Sequence, residues 1–311
     1  MTKMTFKPAT AAAQLVARYR RQRPLRGGSL IVTLFGDAIM PRGGAITLGS
    51  LIDLAAPFGL SERLVRTAAA RLAKAGWLNA RRAGKRSEYH LSHDGRERFA
   101  EATRRIYGAP ETEWRGRWTV LVLPRMRASE RKDLKDELVW RGFGELSANV
   151  FAHPEIDSTS LGLEAAPARL LAKAFVFDAG LSGDDAPQRL VALGWDLEDL
   201  GLRYQRFAQR FERVLALLQD PRALVPRDCF IVRTLLIHEY RRLHLRDPLL
   251  PSQLLRANWP GAQAAALCRN LYARVFTASE AHLTSVAAQL NGPLPAPDAA
   301  VLGRFGGINA G

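Results

Sequence analysis

The chain has little that would carry it into a membrane or an oxidising compartment. No apolar run in its 311 residues approaches the eighteen or so needed to span a bilayer. The apolar stretch Ala11–Ala17 is too short for a signal-peptide core. Cysteine is scarce, with only Cys229 and Cys268, far apart and in helix-like segments. That pattern points to buried free thiols in a reducing cytoplasm and argues against a disulfide. Signatures of catalysis are missing too. There is no G-x-S-x-G and no P-loop. His238-Glu239 opens like a zinc-protease helix, but the motif needs histidine at 242, where Arg242 stands. His244 falls on the wrong helical face to pair with His238. No enzyme, no metal site and no bound cofactor is expected. There is no internal repeat.

Acidic residues are thin in the first third. Residues 1–110 hold 20 Lys and Arg against 7 Asp and Glu, whereas residues 111–311 hold 25 against 23. Nearly all of the formal net charge of +15 therefore belongs to the N-terminal part. A field concentrated in this way suits a polyanion and not a membrane surface.

Within that part, Leu51–Ala70 reads LIDLAAPFGLSERLVRTAAA. Ala55, Gly59 and Val65 have the spacing of a helix-turn-helix: a small residue at the crossing, a glycine for positive φ in the turn, and a branched residue packing the second helix back. Ser61 stands where its hydroxyl can cap that second helix. Helical spacing turns Val65, Ala69 and Leu72 inward and Arg63, Arg66, Thr67 and Arg71 outward. Gly76–Arg82 reads as a strand, Ala83-Gly84-Lys85 as a tight turn and Arg86–Leu91 as the return strand. The hairpin is a basic wing carrying Arg81, Arg82, Lys85 and Arg86. Arg63, Arg66, Thr67 and Arg71 are the base-reading candidates, Ser61 a cap and phosphate contact, and the wing arginines and lysine backbone contacts. The plainer reading is a helical hairpin with a solvated charged face. The wing following directly after it favours double-stranded DNA.

Around this core, residues 1–26 read as a basic flexible arm, with Arg18, Arg20, Arg21, Arg23 and Arg26. A helix is expected over Ser29–Ile39, another from Thr47 to Phe58-Gly59, and one from Ser92 to Tyr107. Residues 27–110 thus form a winged-helix DNA-binding domain. Beyond Gly108-Ala109-Pro110, strand Trp118–Leu123, a helix from Ser129, strand Glu145–Phe151, helix Ala166–Ala172 and strand Ala174–Phe177 suggest a ferredoxin-like α/β domain over 111–183. Residues 184–291 read as all-α, with helices near Arg203–Gln219, Asp228–Leu243, Ala262–Phe276 and Ala278–Leu290. Residues 292–311, rich in Pro, Gly and Ala, read as a disordered tail. The expected class is α+β.

The segments GLSERLVRTAAARLAKAGWL at 59–78, WTVLVLP at 118–124, WDL at 195–197, HEYRRLHLRDPLLPSQLL at 238–255 and NWPG at 258–261 resemble the PaaX family, repressors of phenylacetate-degradation operons. The resemblance spans roughly residues 24–290. It implies a homodimeric repressor with an N-terminal winged helix, released from operator DNA by phenylacetyl-coenzyme A. It also implies a middle domain similar to small CRISPR-associated nucleases. Those keep an aspartate at the end of their first strand, where this chain has Leu123-Pro124-Arg125, so cleavage is not expected.

An acyl-coenzyme A needs arginines for phosphate and a dry aromatic wall for its ring. Arg203, Arg206, His238, Arg241, Arg242 and Arg246 offer the first. Trp195, Tyr204, Phe207, Tyr240 and Trp259 offer the second. The competing assignments are a solvated face for the Arg203–Arg213 stripe, helix-packing core for the aromatics and a core histidine for His238. The alternative function is a winged-helix regulator of another pathway, sensing a different acyl-coenzyme A or no small ligand.

Overall fold

The computed structural model describes residues 10–22, 27–108, 114–154, 169 and 171–308. The architecture is mixed α and β. Its contacts group into two units: residues 1–108, 207–242 and 264–311, and residues 109–206 with 243–263.

The first unit begins with helix α1, Ala11–Arg21, where an arm was expected. Thr10 caps it, accepting from the Ala13 N–H at 3.2 Å. Ala12, Leu15 and Tyr19 form its buried stripe. Two of the three anchors are small or polar-tipped, which hid the period in the sequence. Arg23 and Arg26 lie outside the described residues. Helix α2, Gly27–Leu34, widens into a π-turn over Phe35–Ile39 and closes as a 3-10 turn, Met40–Arg42. Strand β1, Ala45–Thr47, leads to α3, Leu48–Ala55, whose cap is Thr47. A 3-10 turn, Ala56–Phe58, and Gly59 at φ +77° precede α4, Glu62–Lys74. Strands β2, Leu78–Ala83, and β3, Arg86–Leu91, form a hairpin, and β1 joins its far side to give the order β1-β3-β2. Helix α5, His93–Tyr107, is capped by Ser92. Gly95 belongs there because a Cβ would lie 2.2 Å from the Trp77 carbonyl oxygen.

In the second unit, β4, Arg117–Val122, is followed by α6, Ala128–Trp140. The one strand expected over Glu145–Phe151 is two, β5, Gly144–Ser147, and β6, Val150–Pro154, paired as a hairpin. The expected helix at 166–172 falls almost wholly outside the described residues. Strand β7, Phe175–Gly180, completes an antiparallel sheet in the order β5-β6-β4-β7. Leu121, Leu134, Leu138, Phe143 and Phe151 make one apolar core; Trp118, Ala152, Val191, Leu250 and Leu254 make another.

Helix α7, Ala186–Gly194, is followed by α8, Leu197–Leu217, and α9, Pro226–His244. The two helices expected near 262–276 and 278–290 are one, α10, Pro260–Val286. Residues 292–308 are not the disordered tail the composition suggests. Strands β8, Ala288–Gln289, and β9, Gly292–Pro293, pair, and a 3-10 segment covers Ala299–Gly306. Val301, Arg304 and Ile308 are buried there, because Arg304 has a buried carboxylate to neutralise.

Candidate nucleic-acid interface

Helix α4 has two faces. Val65, Ala68 and Ala69 are buried, while Arg63, Arg66, Thr67 and Arg71 are exposed. The Ser61 hydroxyl accepts from the Leu64 N–H at 3.3 Å and fixes where the helix starts. Arg66 pairs with Glu62 one turn earlier, at 2.5 Å, with both side chains more than half exposed. Such a pair is worth about 0.5 kcal/mol or less, so the guanidinium is readily exchanged onto another acceptor. Thr67 donates its hydroxyl to the Arg63 carbonyl at 2.8 Å, so the side chain offers its methyl to a neighbour. In the hairpin Ala83 pairs with Arg86 and leaves Gly84-Lys85 as a two-residue turn, with Gly84 at φ +57°. Arg81, Arg82, Lys85 and Arg86 are all exposed on it. One unit thus presents an arginine-lined helix face and a basic hairpin tip, with those side chains exposed. The arrangement suits phosphate contact and bidentate base contact.

The residues considered for an effector are divided between the two units. In the first unit Phe207, His238 and Tyr240 are core side chains, 0–2 % exposed. Phe207 packs on Tyr240 with ring centroids 5.8 Å apart. His238 Nδ1 lies 3.0 Å from the Thr33 hydroxyl, and Arg241 donates to that hydroxyl at 2.8 Å and to the Ser29 carbonyl at 2.7 Å. Burial lowers the Arg241 guanidinium to about 10. Arg242 is half-buried, on the same helix. In the second unit Tyr204 is fully buried, donates to Asp247 at 2.9 Å and meets the edge of Trp259. Trp195 donates its indole N–H to the Gly142 carbonyl at 3.0 Å and packs by Trp118. Arg203, paired with Asp199 at 2.6 Å, and Arg206 and Arg246 are exposed. Tyr204, Phe207, His238 and Tyr240 are therefore core residues in the free chain, and Arg241 is a brace between α9 and α2.

Comparison with known proteins gives three family models along the chain: a PaaX-like protein model at residues 26–95, a PaaX protein central Cas2-like domain at 111–191, and a PaaX-like protein C-terminal domain at 195–285. The transcriptional repressor PaaX of Escherichia coli strain K12 is 38 % identical over 290 residues, covering 92 % of each chain. The chain belongs to the PaaX family. It is a transcriptional repressor rather than an enzyme. Among solved structures, an uncharacterized protein from Mycobacterium tuberculosis is similar over 75 % of this chain and 89 % of its own, at 26 % identity and a TM-score of 0.49. No helix among the described residues is long and apolar enough to cross a membrane.

The sequence reading of this PaaX-family chain missed a densely connected buried polar group. Asp37 sits in the π-turn and is buried. It accepts from Tyr107 at 2.7 Å, Tyr272 at 2.9 Å, Arg233 at 2.8 Å and Arg304 at 2.8 Å. Burial alone would raise its carboxyl, but Arg233, Arg304 and the two tyrosine hydroxyls hold it below its ordinary value. Glu280 adds a second carboxylate, paired with Arg42 and Arg233. The available signal was a lone aspartate inside LIVTLFGDAIM, an apolar run where an ionised group needs partners.

Proposed function

We propose that the chain is a cytoplasmic, homodimeric winged helix-turn-helix repressor of phenylacetate catabolism genes that leaves its operator when phenylacetyl-coenzyme A binds. The observation that carries the DNA part is the exposed arginine face of α4 beside the basic β2–β3 hairpin in one unit. On this reading α3 and α4 are the helix-turn-helix, with Gly59 in its turn. The hairpin is the wing. Arg63, Arg66 and Arg71 reach guanine edges, Thr67 meets a thymine methyl, and Ser61, Arg81, Arg82, Lys85 and Arg86 hold phosphates. Two copies double the base contacts and match a two-fold operator.

The second unit's sheet, antiparallel in the order β5-β6-β4-β7, supports reading residues 111–183 as ferredoxin-like. For the effector, exposed Arg203, Arg206 and Arg246 supply phosphate contacts. For the ring, the second unit offers Trp195, Tyr204 and Trp259 and the first offers Phe207 and Tyr240; opening a site in either requires repacking, and in the first His238, Arg241 and Arg242 would shift with α9. That requirement has a mechanistic consequence. A ligand that binds only the repacked arrangement shifts the population away from the DNA-competent one, whereas equal affinity for both shifts nothing.

The test is a mobility shift on the DNA upstream of the chain's own gene, with and without phenylacetyl-coenzyme A. Retardation that the thioester abolishes, and free coenzyme A does not, is the expected result. No retardation ends the repressor mechanism; retardation indifferent to the thioester ends the effector assignment.

A further inference from the structure

The DNA-binding reading uses α4 and the hairpin only, yet another basic surface adjoins the turn that leads into α4. Helix α1 presents Arg18, Arg20 and Arg21 outward, with no acidic residue along its length. It is fastened by Tyr19, which is 1 % exposed. The Tyr19 ring meets Phe58 edge-on at 6.5 Å, immediately before Gly59, and His238 at 5.7 Å. Burial raises the Tyr19 hydroxyl to about 12, so it stays neutral in this seat.

The consequence for Arg20 is geometric. A Cβ at Gly59 would stand 2.7 Å from Arg20 Nε, so the guanidinium lies directly on the turn. Ser61, the first residue of the α4 cap, is two residues on, or about 7 Å of chain. That is the spacing of neighbouring phosphates on a strand, about 7 Å. Next to Arg20 is a groove of about 430 Å³, lined by Ala13, Val16 and Pro57 on one side and Arg227 and Asp228 of α9 on the other. Arg227 is exposed. Two arginines far apart in sequence thus face one concavity beside the base-reading helix, with Asp228 as the carboxylate on its wall among the described residues.

We propose that this groove between α1 and the start of α9 seats a DNA backbone phosphate flanking the contacts of α4, held by Arg20 and Arg227. The proposal rests on the DNA-binding reading and extends it. It makes α9, a helix outside the N-terminal third, part of the nucleic-acid footprint. Such a contact carries no base information, so it serves operator and unrelated duplex alike.

The experiment is a fluorescence-anisotropy titration of the full chain against its own upstream duplex and an unrelated duplex of equal length, at several salt concentrations. R20A and R227A are each expected to weaken both duplexes by the same factor, roughly 3–10-fold, and to lower the slope of log K against log salt by about 0.9. D228N removes the opposing carboxylate and is expected to tighten both. R227A and D228N change side chains on the first turn of α9, far in sequence from Arg20, so they test the groove even if R20A disturbs folding. Unchanged affinity and slope in R227A together with no tightening in D228N overturn the proposal. So does a loss in R227A confined to the upstream duplex, which would mean base reading. Failure of the wild-type chain to bind either duplex is a different result: it removes the DNA-binding reading itself.

Discussion

The two units bury polar groups to different extents. The first buries formal charges: Asp37, Arg233, Arg304 and Arg42 are at most 5 % exposed. They draw together the π-turn, α5, α9, α10 and the segment after β9. The second unit's cores are built on Trp118, Phe143 and Phe151, and among its described residues the buried carboxylate is Asp247, in a local group with Tyr204 and His244. A charge network is satisfied in one arrangement and costly in any other, whereas an apolar core tolerates repacking if volume is kept. The unit that presents the arginines of α4 is thus the one with the rigid, single-solution centre. The unit built on Trp118, Phe143 and Phe151 is the more tolerant of repacking.

The largest effect that would sharpen this contrast is Asp37→Ala. It strands Arg233 and Arg304 without their shared carboxylate and should cost about 3–5 kcal/mol in denaturant unfolding. A loss below about 1 kcal/mol would mean that the network is dispensable and the contrast false.

Acid should separate the units next. Burial lowers His153 in β6 from 6.5 to about 4, against a weaker upward pull from a backbone hydrogen bond at Pro154. A lowered histidine stabilises the fold above pH 6.5, and that contribution is lost as pH falls from 6.5 towards 4. Its full size is up to about 3 kcal/mol. Asp37 is also depressed, so its contribution is present above its ordinary value of 3.8 and is lost only below it. Amide protection factors over residues 117–154, corrected for intrinsic exchange, should therefore fall between pH 6.5 and 4 while those of Phe35–Ile39 hold. His153→Phe should abolish that fall. Simultaneous loss of protection in both regions would break the comparison.

Smaller still is Tyr204→Phe, which removes the hydroxyl donor at Asp247 Oδ2 while the Leu249 N–H still donates to Oδ1 at 2.8 Å. About 1–2 kcal/mol is expected, read as a lower midpoint in thermal unfolding. No change in midpoint would show that the remaining partners of Asp247, the Leu249 N–H among them, suffice.

How much of this was legible in the sequence follows from how far each feature reaches along the chain. Helix α4 and its hairpin are local: Ser61 caps, Val65 and Ala69 keep the period, and Gly84 turns the strands, all within thirty or so residues. Helix α1 was missed because its stripe is Ala12, Leu15 and Tyr19 and its partners Phe58 and His238 are remote. The order of residues 292–308 was missed for a similar reason. Composition says nothing of an arginine at 304 that neutralises an aspartate at 37. The effector residues were chosen by type, and type does not distinguish the exposed Arg206 from Arg241, which the fold uses to tie α9 to α2.

The central claim is that the exposed arginines of α4 read sequence while the buried ones hold the frame. The most direct measurement titrates wild-type and Arg66→Ala chains against the upstream duplex and a scrambled duplex at matched salt. A loss of about 1–3 kcal/mol on the upstream duplex, with the scrambled duplex changed far less, is the result the account predicts. Equal loss on both, or none on either, would contradict it.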